Sequence, residues 1–248
     1  MFRLLVIVAF ILALATGAVA NTPLSFAMRL SGVADRGLSW QQARGTIWNG
    51  QLSGLASSGV DLGTARIKSH PTSLLAGTPS ATLQMSAGAV QGTLNSSVAG
   101  KNISVNDVSI NADLAQLSNL KPELRRTGGT LSVRNANFSV GQDGTCIAAS
   151  GTANLDTVRR IGILYGRDWP LLAGDLSCDS GAFLIKLSGT GPAQETFDLT
   201  VRFLQAGTTQ IKVQAANLDP EAAQLLPALG FSKTPEGLVF YQDTSRPN

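Results

Sequence analysis

Two cysteines and a single histidine are the side chains best suited to chemistry, and their surroundings restrict it. Cys146 opens one alternating segment and Cys178 lies in the next, without the C-x-x-C spacing of a redox or metal-binding thiol pair. An even pair in an exported β-rich chain reads most simply as a disulfide between adjacent strands. His70 precedes Pro71 at a predicted turn and reads as a surface residue, since zinc sites and catalytic triads need partners the sequence does not offer. The chain carries no GxSxG, HExxH, P-loop or dinucleotide fingerprint. The turns at Gly100, Gly128-Gly129 and Gly189-Thr190-Gly191 are not followed by the helix N-terminus that phosphate requires. Asp107 and Asp113 stand too far apart along one strand to work as a pair. The expectation is a non-enzyme with no catalytic residues, no metal ligands and no cofactor.

With 248 residues, the chain can bury a core of its own. Only 14% of residues are charged, while Gly (26), Ser and Thr are plentiful. That is too apolar for disorder and too poor in helix formers for a bundle, and it fits a turn-rich, mainly all-β protein. The net charge is +3, and its basic residues are scattered apart from Arg125-Arg126 and Arg159-Arg160. Without a clustered basic face or interleaved aromatics, nucleic acid is excluded as a partner. The arginine pairs read as solvated turns or as a face near anionic lipid.

Export is the firmer inference. Arg3 precedes an uncharged run from Leu4 to Ala20, which places the N-terminus inside and the rest of the chain outside. Two readings of residues 1–20 stay open. Ala18-Val19-Ala20 describes a signal peptide cleaved before Asn21. The length of the run instead suits a membrane anchor. Residues 21–248 follow without a sharp linker and read as a single exported β-rich domain.

The elements of that domain follow from alternation. Pro23 to Leu30 reads as a membrane-proximal turn or first strand. Val60 to Lys68 reads as a strand interrupted at Gly63, and Pro71 to Gly77 as a short helical turn. Val108, Ile110 and Ala112 against Ser109, Asn111 and Asp113 predict a strand with one apolar face. Leu131 and Val133 switch phase to Ala136, Phe138 and Val140, which predicts a bulge at Asn135. Ile147, Ala149, Gly151, Ala153 and Leu155 are expected on one face. Leu114 to Leu120 reads as helical, Pro122 with Gly128-Gly129 as a break, and Val158 to Pro170 as irregular, with Trp169-Pro170 turning the chain. Phe197, Leu199, Val201 and Phe203 alternate with polar residues. Asp219-Pro220-Glu221 starts a helix that Gly230 ends. The architecture expected is an antiparallel meander or curved sheet, or a two-layer sandwich, with a few short helices.

Arg44 to Leu55 (RGTIWNGQLSGL) is expected to place Trp48, Gly50, Leu52 and Gly54 on one face, with Gly45 and Gly50 letting the strand bend around a packed Trp48. Several motifs in order carry a family resemblance: the apolar N-terminus, Gly45 to Gly50 (GTIWNG), Leu62-Gly63, and Pro71 to Gly77 (PTSLLAG) with Leu75 inside it. Gly128 to Gly151, Leu225 to Gly230 and Gly237 follow the same course. Together these resemble type II secretion system protein N of Gram-negative bacteria. The resemblance implies a periplasmic domain at the inner membrane, an accessory role in secretion, and other envelope secretion proteins as partners. It supplies no catalytic residues, so Gly45, Trp48, Gly50, Gly63, Pro71, Leu75 and Gly77 are expected to be structural. A looser resemblance is to groove-forming lipid-bridge proteins of the AsmA kind. It implies lipid as an alternative ligand, held on the apolar face that carries Leu83, Ile110, Phe183, Leu199 and Val201.

Overall fold

The computed structural model describes residues 21–244 apart from 33, 36, 58, 59, 119, 121 and 205–207. The readings made for residues 1–20 lie outside the described residues. In chain order, α1 (Leu24–Leu30) leads into β1 (Leu38–Ser39), β2 (Gln42–Gly45), β3 (Asn49–Ser57) and β4 (Val60–Ser69). After α2 (Pro71–Leu75) come β5 (Ser80–Ser86), β6 (Val90–Ala99) and β7 (Asn102–Asp113). A 3-10 turn (Leu114–Gln116) and α3 (Pro122–Thr127) precede β8 (Thr130–Gly141) and β9 (Cys146–Leu155). Next are α4 (Thr157–Leu164), β10 (Leu172–Asp179), β11 (Ala182–Thr190), β12 (Thr196–Phe203) and β13 (Thr209–Ala216). The chain ends with α5 (Pro220–Leu225), a 3-10 turn (Leu226–Leu229), β14 (Ser232–Thr234) and β15 (Gly237–Thr244).

All fifteen strands among the described residues belong to one sheet. From β3 to β13 each strand pairs with its successor, and every pairing is antiparallel. Such a meander follows from one-sided alternation, since each strand hides its apolar face beside its neighbour's and leaves the polar one wet. There is no second sheet layer among the described residues; short helices cover part of the apolar face instead. Val158 and Ile161 of α4, and Ala222 with Leu226 after it, join Leu172, Leu187, Phe197 and Leu199 in the larger core. A smaller core gathers Leu24, Leu52, Leu55 and Ala65 at the N-terminal end.

The opposite face carries a polar ladder across five strands' worth of chain. His70 Nε2 is 3.2 Å from the Thr82 hydroxyl, which donates to Asn95 Oδ1 at 2.8 Å. Asn95 Nδ2 donates to Asp107 Oδ2 at 3.2 Å, and the Asp107 N–H donates to Asn137 Oδ1 at 3.1 Å. The lone histidine is thus half-buried at the end of a structural network.

The phase switch at Asn135 is a real bulge. Asn135 has φ 49°, and the β8–β9 register shifts between Arg134 and Asn137. Asp107, at φ 53°, lies in the matching irregularity of β7. Gly151 faces the bulge, where a Cβ would lie 2.5 Å from the Ala136 Cα.

Several expectations are corrected. Leu24–Leu30 is a helix and neither a turn nor a strand, with Leu24 buried as its anchor. Pro122 does not break the chain; it opens α3, where its missing N–H costs nothing. Val158 to Pro170 is not irregular throughout: it runs within α4 as far as Leu164, and Trp169 is 2% exposed with its ring 5.0 Å from Phe197. Ile147 leaves its expected face and is exposed, because the register of β8 with β9 slips between Ser139 and Val140. Trp48 does not lie on a strand. The stretch Arg44–Leu55 is a hairpin, and Trp48 sits half-buried in its turn between β2 and β3. Gly50 and Leu52 are buried as expected, but a bulge makes Leu55, not Gly54, the next buried residue.

Candidate functional site: an apolar trough under the short helices

The floor of the site comes from three neighbouring strands. Val201 of β12 pairs with Ile185 of β11 and with Ile211 of β13, so all three project to one face. Leu199 pairs with Val213 in the same way, two residues along. The roof comes from Val158 and Ile161 of α4, Leu117 and Leu120 of the segment after the first 3-10 turn, and Phe231 beyond α5. Between floor and roof lies a cavity of about 230 Å³.

The roof does not reach the end of the face. Phe203 closes the row and stays 42% exposed. From it an aromatic line runs back across the sheet, with ring centroids 5.8 Å apart for Phe203 and Phe183 and 5.6 Å for Phe183 and Phe138. Val105 and Leu94 continue the half-buried apolar surface beyond Phe138.

No ionisable side chain lines the trough among the described residues; Thr127, Thr157 and Thr209 are its polar members. The Thr157 hydroxyl donates to the Gly128 carbonyl at 3.1 Å, so it satisfies the backbone instead of facing a ligand. Such a lining can desolvate and hold an apolar chain, at roughly 0.8 kcal/mol per methylene buried. It cannot move a proton. The volume is below the about 300–1,000 Å³ of ordinary small-molecule pockets, which suits one narrow chain or a few side chains.

Of the face expected to carry a ligand, Leu199 and Val201 line the trough, and Ile110 and Phe183 pack against the same core. Leu83 belongs to the smaller core. The trough itself was not legible, because α4, which supplies Val158 and Ile161 to its roof, is a helix that the sequence hides.

Cys146 and Cys178 are joined in a disulfide, with Cα atoms 5.7 Å apart, tying β9 to β10. The seven motif residues lie at the N-terminal end of the sheet. Gly45 (φ 82°) closes the β2–β3 hairpin, and Gly63 (φ 75°) sits at a bulge in β4, where its N–H donates to Asp61 Oδ1 at 2.7 Å. Pro71 begins α2, Leu75 is its last residue, and Gly77 (φ 72°) follows as the left-handed terminator.

Among the described residues no group of three His, Cys, Asp or Glu is placed to hold a metal, and no helix is long and apolar enough to cross a membrane. No curated protein and no solved structure matches the chain. A family model, type II secretion system (T2SS) protein N, matches residues 36–240, from the loop after α1 into β15. The chain belongs to the type II secretion system protein N family, and is a cell-envelope component of that secretion machinery that works with its other components.

Proposed function

We propose that this chain is a non-catalytic accessory of type II secretion, and that its trough is where it grips another envelope protein of the machinery. The observation that carries this reading is the lining: apolar, partly roofed and free of ionisable groups among the described residues. A partner that inserts a few aliphatic or aromatic side chains would bury them against Val201, Ile211 and Phe203. Residues 21–248 act as one periplasmic domain, and residues 1–20 hold it at the inner membrane or are cleaved during export.

A second reading has its own support. A narrow apolar trough also fits a lipid acyl chain. Arg125 and Arg126 end α3, while Arg159 and Arg160 lie on α4, and both helices border the trough. Arg160 is held by Asp156 at 2.8 Å, and the other three cations would meet an anionic headgroup.

One experiment separates the two. A photo-crosslinking amino acid at Phe203, in cells carrying the full secretion system, is expected to give a protein adduct containing a secretion component. A lipid adduct in the purified protein would favour the second reading. No adduct from a folded, correctly localised protein would refute both.

A further inference from the structure

A second cavity, of about 390 Å³, lies away from the trough at the β11–β12 turn. One wall is the turn itself, in which the Gly191 N–H donates to the Glu195 carbonyl at 2.8 Å and Gln194 takes φ 66°. Gly191 has no side chain for a reason. A Cβ there would lie 2.5 Å from the Glu195 Cδ, so the glutamate folds back over the turn and points inward. Glu195 is 7% exposed, and among the described residues no donor reaches its Oε2.

A buried carboxylate without a partner is expensive, and this one lines an open cavity. Its neighbours there are one cation and two further carboxylates: Arg167, Asp168 and Asp219. Arg167 is already committed. It donates to Asp219 and, at 2.9 Å, to Glu221, so it does not neutralise Glu195. Apart from Asn217, the rest of the wall is apolar, with Pro192, Ala193 and Leu218 beside Trp169. A metal ion fits poorly, since among the described residues no three acidic or imidazole groups converge.

We propose that this cavity receives one basic side chain, lysine or arginine, presented by a partner polypeptide, and that Glu195 is its counter-ion. The chemistry of the wall divides as such a side chain does. Pro192, Ala193 and Leu218 take the methylene stem, and the charged head reaches the carboxylate beside the Trp169 indole. A charge paired at a desolvated site selects its partner strongly, because a neutral residue would leave the carboxylate unpaired. The site is separate from the trough, so it stands or falls independently of what the trough holds.

The test is an NMR titration of the full-length protein with N-acetyl-arginine methylamide, N-acetyl-lysine methylamide and, as a headgroup probe, ethanolamine. Either blocked amino acid is expected to shift the Trp169 indole and the Gly191 and Ala222 amides saturably. Glu195→Gln should weaken that binding about tenfold or more, and Asp168→Asn should weaken it far less. The urea midpoint of Glu195→Gln should match or exceed the wild type, because an unpaired buried charge has been removed. Absence of saturable shifts, equal binding by Glu195→Gln, or binding of ethanolamine alone would overturn the proposal. So would a strongly lowered midpoint, which would make Glu195 a structural group.

Discussion

Gly50 and Leu24 compete for one volume: a Cβ on Gly50 would lie 2.5 Å from Leu24 Cδ2 and 2.8 Å from the Thr46 carbonyl oxygen. Helix α1 therefore docks on the β2–β3 hairpin through a leucine seated on a glycine. Leu24 is 4% exposed there, packed with Leu52 and Leu55. The GTIWNG stretch is thus a docking surface for α1, and its tryptophan is only the turn beside it. Gly50→Ala is expected to destabilise the domain by about 1–3 kcal/mol, since neither a carbonyl nor a buried leucine can yield cheaply. Gly77→Ala is the matching control. Nothing lies within 4 Å of its Cβ, so only the left-handed backbone (φ 72°) opposes it, at about 1 kcal/mol. Urea unfolding of the two variants checks the order.

The Cys146–Cys178 bridge closes a loop with a sequence separation of 32. Its loss should lower stability by roughly 3–4 kcal/mol in the chain-entropy account. Thiol labelling of unreduced protein should find neither cysteine free, and Cys146→Ser should unfold at the same urea concentration as the double serine variant. Labelling of both cysteines would contradict the bridge.

Asp219 caps α5, accepting from the Glu221 and Ala222 N–H groups at 2.9 and 2.8 Å. The Ala222 N–H, and after it Arg167, hold its carboxyl below the usual 3.8. A group depressed in the folded state stabilises above its unfolded pKa and stops doing so as pH falls through the folded value. The contribution should therefore be complete above about pH 4 and fade below it. Asp219→Ala should lower the urea midpoint at neutral pH, and its deficit against wild type should shrink in acid. Asp219→Asn keeps an acceptor for the cap and should lose less.

The strands were legible because each hides one face. Phe197, Leu199, Val201 and Phe203 declare β12, and the parity change at Asn135 declares its bulge. The helices that build the site were not. In α4 the buried apolar pair Val158 and Ile161 is too short a pattern to stand out before Gly166 and Pro170, and Pro122 reads equally as a stop or a first helical residue. Trp48 was misplaced because alternation around it continued through a hairpin turn. Glu195 gave no signal at all: an acid in a Gly-Pro turn looks solvated until the turn folds it inward.

The central claim concerns the trough, and secretion by cells whose sole copy carries Phe203→Glu together with Leu117→Glu tests it most directly. Both residues line the trough and neither is fully buried, so the charges should spoil the apolar contact while leaving the sheet folded. Tyr241→Glu, at a residue 52% exposed and outside the trough, is the control. The double variant, present at normal levels and with its melting transition retained, should secrete poorly, and the control should secrete as wild type does. Normal secretion by the double variant would contradict the claim.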